Sequence, residues 1–369
     1  MSHVRTLREG CVRCACQSAP PALIAIVSDT YDDDFDTSSD EHAAEHPFAA
    51  LTPNVVLDAI ERFGFECTGA LYPLNSYENR VYLAQTEDDD SAVAKFYRPD
   101  RWPDASILEE HLFAVELADR EIPVVAPLAS PDGTTLIEHE GFRVAVYPRI
   151  RGHAPELDNA STLGWVGRFL GRIHAVAATA TFEHRPTLDV ETFGYQSLND
   201  LLDTDLLPME ARTRYEGLAR ELLSAVEERI QALGPTPAIR LHGDCHAGNI
   251  LWTPTGPHFV DLDDCRSGPA IQDFWMLLSG NADEMSFQLS LLVEGYQQFH
   301  DFDFSQLGLI EPLRGLRAIY YASWLAKRWH DPAFPQAFPW FGTNRYWEDQ
   351  VQQLQDQLEH LDDALVLSL

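Results

Sequence analysis

Two short apolar runs bracket a dense polar segment: residues 241–252 read LHGDCHAGNILW and residues 259–264 read FVDLDD. Such a pattern folds as strand, tight loop and returning strand. Gly243 and Gly248 interrupt any regular element, and Ile250 to Trp252 is apolar enough to run beneath the loop. Within this unit stand Asp244, an amide five residues on at Asn249, and a further acid at Asp261. A loop of this length carries the first acid and the amide into one pocket, and the following strand brings the second acid to it. That trio suits phosphoryl transfer. One carboxylate accepts the proton of an acceptor hydroxyl, while the amide and the second carboxylate hold Mg²⁺ against nucleotide phosphates.

Two other readings compete. His242, Asp244 and His246 alternate, so on a strand they would share one face and form a hydrolase-type metal site; the glycines and Asn249 argue for a loop. A plain turn capped by Asp and Asn leaves the second acidic run unexplained. The segment also departs from the protein-kinase pattern, with His242-Gly243-Asp244 for His-Arg-Asp and Asp261-Leu262-Asp263 for Asp-Phe-Gly. Regulation through an activation loop is therefore not expected. Asp263 and Asp264 add charge beside Asp261, and at least one is expected to be solvated.

Upstream, Thr52-Pro53 is an N-cap with proline at the first helical position, Val55, Val56, Ala59, Ile60 and Phe63 form a stripe, and Gly64 supplies the stop. Three β-like runs follow, at 67–74, 80–85 and 92–97, split by turn residues at 75–79 and 87–90, and they read as an antiparallel meander. Lys95 stands on the third run in AVAKFY, as does the strand lysine that pairs with α- and β-phosphates. The chain has two lysines, Lys95 and Lys327, so ordinary surface charge does not account for this one. Its carboxylate partner is expected on the next helix. Ser106 and Glu109 have capping-box spacing, which occupies Glu109 and leaves Glu110 to face the lysine, with Asp104 as another cap.

Runs at 124–128, 134–138 and 142–147 are expected to complete the small sheet, and Pro148 ends it. The remainder reads as helical. Ser161 is expected to cap a helix with Leu163, Val166, Phe169, Leu170 and Ile173 inside and His174 packed near its end. Further helices are expected near 210–233, 270–278, 284–299, 309–328 and 344–361. The aromatic set Tyr320, Tyr321, Trp324, Trp329, Phe334, Phe338, Trp340 and Phe341 reads as core, with an acceptor cleft as the alternative.

The stretches LNSYENRVY from Leu74, KFYRPDRW from Lys95, LEEH from Leu108, LGRIH from Leu170, LHGDCHAGNILW, FVDLDD, GPAIQDFWMLL from Gly268, IEPLR from Ile310 and WHDPAFP from Trp329 run in order from about residue 50 to 345. Together they resemble the aminoglycoside phosphotransferase and choline kinase superfamily, most closely a bacterial branch of serine/threonine protein kinases of the stress response. The resemblance implies an α+β, bilobal protein-kinase-like fold with a small antiparallel sheet lobe and a larger helical lobe. It divides the chain at 51–148 and 149–369, with residues 147–150 as the hinge that reads adenine; Pro148 has no N–H to give. It implies ATP as co-substrate, Mg²⁺ held by Asn249 and Asp261, Asp244 and Asp261 as catalytic acids, and Lys95 and Glu110 at the phosphates. The turn 75–79 lacks the glycines of protein kinases, so backbone amides and the Ser76 hydroxyl are expected to cradle phosphate there. Asp273 is expected to brace the catalytic loop. The implied acceptor is a serine or threonine hydroxyl on a protein; a small amino alcohol, or nucleotide binding without turnover, are the alternatives.

Composition bounds these expectations. A chain of 369 residues with 45% hydrophobic content is long enough to bury a full core. Its 58 acidic against 26 basic side chains give a net charge of −32, which repels nucleic acid and anionic lipid alike. A salt-rich cytoplasm, with its short screening length, tolerates that balance best. Six cysteines, at positions 11, 14, 16, 67, 245 and 265, form no regular framework, in keeping with a reducing cytoplasm. Cys11, Cys14 and Cys16 are a weak metal motif, and Cys245 reads as a small buried apolar side chain rather than a redox brake. Residues 1–50 are acidic and aperiodic and read as a disordered tail, with no signal or membrane-spanning segment. A cytoplasmic monomer is expected.

Overall fold

The computed structural model describes residues 46–88, 90–363 and 365. Residues 1–45 of the expected tail, with the cluster Cys11, Cys14 and Cys16, lie outside the described residues, but 46–50 are not the loose end expected: they form a turn whose Phe48 is buried with the helix that follows and stacks on Phe142 at 6.1 Å. Helix α1 (Pro53–Glu61) begins where Thr52 Oγ1 accepts from Val55 N (3.4 Å). It ends before Gly64, whose φ of 90° L side chains rarely adopt. Its buried face, Val56, Ala59 and Ile60, lies on a five-stranded antiparallel sheet of β1 (Cys67–Leu74), β2 (Arg80–Thr86), β3 (Ser91–Phe96), β4 (Ile137–His139) and β5 (Phe142–Pro148), ordered β1-β2-β3-β5-β4.

Alternation divides β3 between two faces. Ala92, Ala94 and Phe96 pack with α1, whereas Val93 and, just past the strand end, Tyr97 belong to the cluster on the opposite face, under which α2 (Asp104–Asp119) packs through Ile107. Lys95 shares the parity of Val93 and pairs in register with Ala145 of β5, so the strand itself aims its ammonium at the second lobe.

Residues 124–128 do not form a strand of this sheet as expected, and touch it through Leu128 N, which donates to Val146 O of β5 (2.7 Å). Pro123 and Pro127 have no N–H to donate, so a ladder cannot form there. Instead Val124 bridges Phe259 in parallel and Val125 N donates to Phe259 O (3.0 Å), which stitches the sheet lobe to the second lobe. The run expected at 134–138 shrinks to β4.

In the second lobe α3 (Ala160–Ala177) is capped by Asn159, whose Oδ1 accepts from Ser161 N (2.9 Å), rather than by Ser161. A π-turn at Glu191–Tyr195 leads into α4 (Gln196–Leu202), neither of which is foreseen in the sequence. Then come α5 (Met209–Leu233), α6 (Gln272–Trp275), α7 (Ala282–Tyr296), α8 (Ile310–Lys327), α9 (Ala333–Ala337) and α10 (Asn344–Glu359). Between α5 and α6, β6 (Ile239–Leu241) pairs with β9 (Arg266–Gly268), and β7 (Ile250–Thr253) forms a hairpin with β8 (Gly256–Phe259). Helices α3 and α7 meet backbone to backbone, since a Cβ on Gly167 would overlap the Leu292 carbonyl. Phe334, Phe338 and Phe341 are buried in the core between α5, α8 and α10. Among the described residues no helix is long and apolar enough to cross a membrane.

Candidate active site

The loop after β6 is fixed by a buried carboxylate. Asp273, at the start of α6, accepts from His242 N (2.8 Å) and Gly243 N (2.9 Å) and lies 3.1 Å from His174 Nε2. The other ring nitrogen of His174 is 3.1 Å from the Tyr296 hydroxyl, so the close α3–α7 contact orients the loop through one histidine. Burial alone would raise the Asp273 carboxyl; His174 and the loop amides outweigh it and hold the group below its ordinary value. Gly243 has φ of 85°, and a Cβ there would overlap the carbonyl of Asp264. The arginine that protein kinases carry at this point has no room.

Asp244 Oδ2 is 3.4 Å from His246 Nε2, and Oδ1 is 3.0 Å from Arg317 Nη2 on α8. Burial again pushes upward, but Arg317 and then His246 hold this carboxyl far below the usual range, so it is ionised at any working pH. Asn249 donates from Nδ2 to the Asp244 carbonyl (3.0 Å), leaving its Oδ1 buried without a protein donor. His242 Nε2 donates to Val260 O (2.9 Å) instead of sharing a face with Asp244 and His246. Among the described residues no group of three or more His, Cys, Asp or Glu is placed to hold a metal. Cys245 is fully buried and its thiol is pushed well up, by burial first, as an inert apolar side chain.

Lys95 is the meeting point of the lobes. Its buried Nζ lies 3.4 Å from Glu110 Oε1, 3.2 Å from Asp261 Oδ1 and 3.1 Å from Asp263 Oδ1. Burial would lower its pKa, but Asp263, Glu110 and Asp261 together raise it well above the ordinary value and keep it an ammonium. Burial lifts Glu110 to about 7 against the opposing pull of Lys95. Asp261 is likewise raised by burial, and it occupies a left-handed backbone position, φ 60°, directly after the run that continues β8. The Tyr97 hydroxyl donates toward Glu110 Oε1 at 3.4 Å and lies 2.8 Å from His111 Nε2 and 3.1 Å from the Tyr147 hydroxyl. Burial, then Lys95, pushes His111 down to about 3. Lys95, Glu110, His111 and Asp261 line, with Val81, Val93, Tyr147 and Leu262, a cavity of about 20 Å³, room for a single water.

Glu110 faces the lysine, but not because of a capping box. α2 starts at Asp104, Ser106 lies inside its first turn with the hydroxyl on His184 O (2.9 Å), and Glu109 accepts backbone N–H groups from Glu183 (2.5 Å), His184 (2.8 Å) and Arg185 (2.7 Å). Glu109 thus points at residues 183–185, and its neighbour, a helical step round the axis, points at Lys95.

The turn 75–79 closes on itself, with Ser76 Oγ donating to Asn79 O (2.9 Å). Its last two residues are also held from outside. Asn79 donates to Asp263 (3.2 Å), and Glu78 meets Arg98 (3.1 Å), Arg328 (2.5 Å), Arg101 (3.7 Å) and the Trp324 indole N–H (2.6 Å). Asp331 joins Arg98 (2.6 Å) to Arg80 (2.9 Å); Arg101 pairs with Asp263 and with Asp264 (2.8 Å), which also meets Arg266 (2.9 Å). With Lys95 and Arg317, seven cations therefore pair with seven carboxylates, although the whole chain holds 58 acids to 26 bases. Asp263 is buried, and Asp264 is the partly solvated acid of the two. Sequence reasoning missed Glu78, Arg101, Asp331 and Arg317; the polar runs NSYEN, RPDRW and WHDP were the visible signal for the first three.

In a bilobal protein-kinase-like fold, the gap between sheet and catalytic loop that Lys95 spans is where nucleotide phosphates lie, and a chain so built is a phosphotransferase. The comparisons give the family. The phosphotransferase enzyme family (APH) matches residues 71–307, and the chain belongs to it. It is 46% identical over 300 residues to Stress response kinase A of Escherichia coli strain K12, covering 81% of this chain and 90% of that relative. It is also 46% identical over 304 residues to serine/threonine protein kinase RdoA of Salmonella typhimurium, covering 82% and 92%. The solved structure of amicoumacin kinase hAmiN in complex with AMP-PNP, Ca²⁺ and Ami superposes with a TM-score of 0.65 at 21% identity, over 84% of this chain and 93% of that one, a likeness of fold.

Proposed function

We propose that this chain is a serine/threonine protein kinase of the bacterial stress response, a cytoplasmic monomer that moves the γ-phosphoryl group of ATP to a protein hydroxyl. The observation that carries the reading is the convergence on Lys95 of Glu110 from the sheet lobe and Asp261 from the catalytic lobe. Relatives at 46% identity named as stress response and serine/threonine kinases support the acceptor. The lobes divide at 51–148 and 149–369, with 147–150 between them.

Each residue then has one task. Glu110 holds the Lys95 ammonium against the α- and β-phosphates, and the backbone of the turn at Ser76 covers them. The buried, donorless Asn249 Oδ1 and the Asp261 carboxylate fit Mg²⁺, which takes one or two protein oxygens and completes its shell with phosphate and water. That ion supplies charge neutralisation on the phosphates. The acceptor oxygen forms its bond to γ-phosphorus as the bond to the β-bridging oxygen breaks, ADP leaves, and the hydroxyl proton passes to Asp244. A carboxylate as weakly basic as Asp244 suits a loose transition state, in which the proton departs late and orientation matters more than basicity.

The test is radiolabelled ATP with and without casein, resolved on a gel. Label in the protein band with the wild-type chain, and none with Asp244→Ala, is the expected result. Label confined to a soluble amino-alcohol product overturns the protein acceptor, and label undiminished by Asp244→Ala overturns the base.

A further inference from the structure

Helix α8 carries Arg317, Tyr321 and Trp324, and its C-cap is Arg328, at steps of four, three and four residues, which is one face of an α-helix. That face looks onto the site. Arg317 Nη2 lies 3.0 Å from Asp244 Oδ1, Tyr321 stacks on Trp324 at 5.6 Å between centroids, and Trp324 and Arg328 both reach Glu78. So the aromatic stretch of the sequence divides: Phe334, Phe338 and Phe341 are core, while Tyr321 and Trp324 are partly buried at its edge, Trp324 against Phe334 at 5.1 Å with its indole N–H on Glu78. Asp244 Oδ1, on a side chain only 11% exposed, has no hydrogen-bond partner; Arg317 meets it as a charge, not as an aligned donor, and stays 26% exposed.

A guanidinium at this distance from the base constrains what may approach. An acceptor hydroxyl on Asp244 brings its own neighbouring groups within a few ångströms of Arg317. An ammonium there meets like charge, whereas a carboxylate meets a planar fork of donors. We propose that Arg317 and its face of α8 select the acceptor: they disfavour a hydroxyl beside an ammonium and favour a serine or threonine flanked by acidic residues. The proposal rests on the protein-kinase reading and names its substrate class. The net charge of −32 opposes it at long range, but that field is screened beyond about 8 Å at physiological salt, and the site itself carries as many cations as carboxylates.

The test separates recognition from chemistry. Two fluorescent peptides, with alanine at the acceptor position and either glutamate or arginine around it, are titrated by polarisation into the full chain with Mg-AMP-PNP. The wild-type chain is expected to bind the glutamate peptide at least tenfold more tightly. Arg317→Lys keeps the preference, Arg317→Gln levels it and Arg317→Glu reverses it. An equal ratio in wild type and Arg317→Glu, a wild-type preference for the arginine peptide, or no binding of either peptide overturns the proposal. AMP-PNP affinity reports that each variant is folded. If the ratio behaves as expected but serine versions of the peptides take no label from ATP, the protein-kinase reading falls instead.

Discussion

Replacing Glu110 with glutamine removes a titration that the fold has displaced, and its consequence is a pH-dependent stability. The carboxyl titrates at about 7 in the folded chain against an ordinary 4.5. The folded state therefore holds the proton more tightly than the unfolded one. This contribution is fully present below pH 4.5 and is lost as pH rises through 7. At 1.36 kcal/mol per tenfold, it amounts to about 3 kcal/mol. His111 works in the opposite sense. Its folded value of about 3 lies below the ordinary 6.5, so its contribution is full above 6.5 and is lost as pH falls toward 3. Between 4.5 and 6.5 the two slopes oppose each other in the wild type. Glu110→Gln leaves the histidine slope unopposed, and relative to wild type the variant gains about 3 kcal/mol from about pH 4.5 to 8. Urea unfolding of both proteins without nucleotide, in steps across that range, gives the difference directly. A difference that stays flat with pH would refute the displaced titration.

Two further perturbations probe the loop and the metal. Gly243→Ala places a Cβ against the Asp264 carbonyl in a left-handed backbone; strain of about 1–2 kcal/mol shifts the base, so kcat should fall on the order of 10²-fold with Mg-ATP affinity kept, and an unchanged kcat in steady-state assays refutes the steric argument. Asp261→Ala should abolish Mg²⁺-dependent nucleotide binding while Asn249→Ala weakens it and raises the metal requirement, because a carboxylate brings charge and an amide a dipole; titrations giving equal, intact Mg-ATP affinity in both variants contradict the assignment.

Local signals in the sequence carried much of this architecture. The meander was legible because each strand is a short apolar run closed by a polar turn, and Lys95 was conspicuous in a chain nearly without lysine. The run at 124–128 misled because apolar content was weighed above Pro123 and Pro127. The start of α3 slipped because Asn159 and Ser161 are both good caps, two residues apart. Glu110 was the residue that meets Lys95, yet the capping box invoked for it does not exist, since Glu109 is drawn away by the backbone of 183–185. What could not be read was partnership. Glu78, Arg98, Asp331 and Arg317 come from segments far apart in the chain, and no periodicity tells an arginine on α8 that its carboxylate is Asp244.

The tethered turn bears on the tempo of the proposed reaction. Protein kinases cover the phosphates with glycine, which bends freely; here Glu78 is grasped by Arg98, Arg328 and the Trp324 indole, two of which belong to the far lobe. Letting a nucleotide out means parting those contacts together, an activated event rather than a loop fluctuation. On the proposed nucleotide role of this turn, release of ADP is expected to be slower than transfer, with residence time the quantity that loosening Glu78 would change.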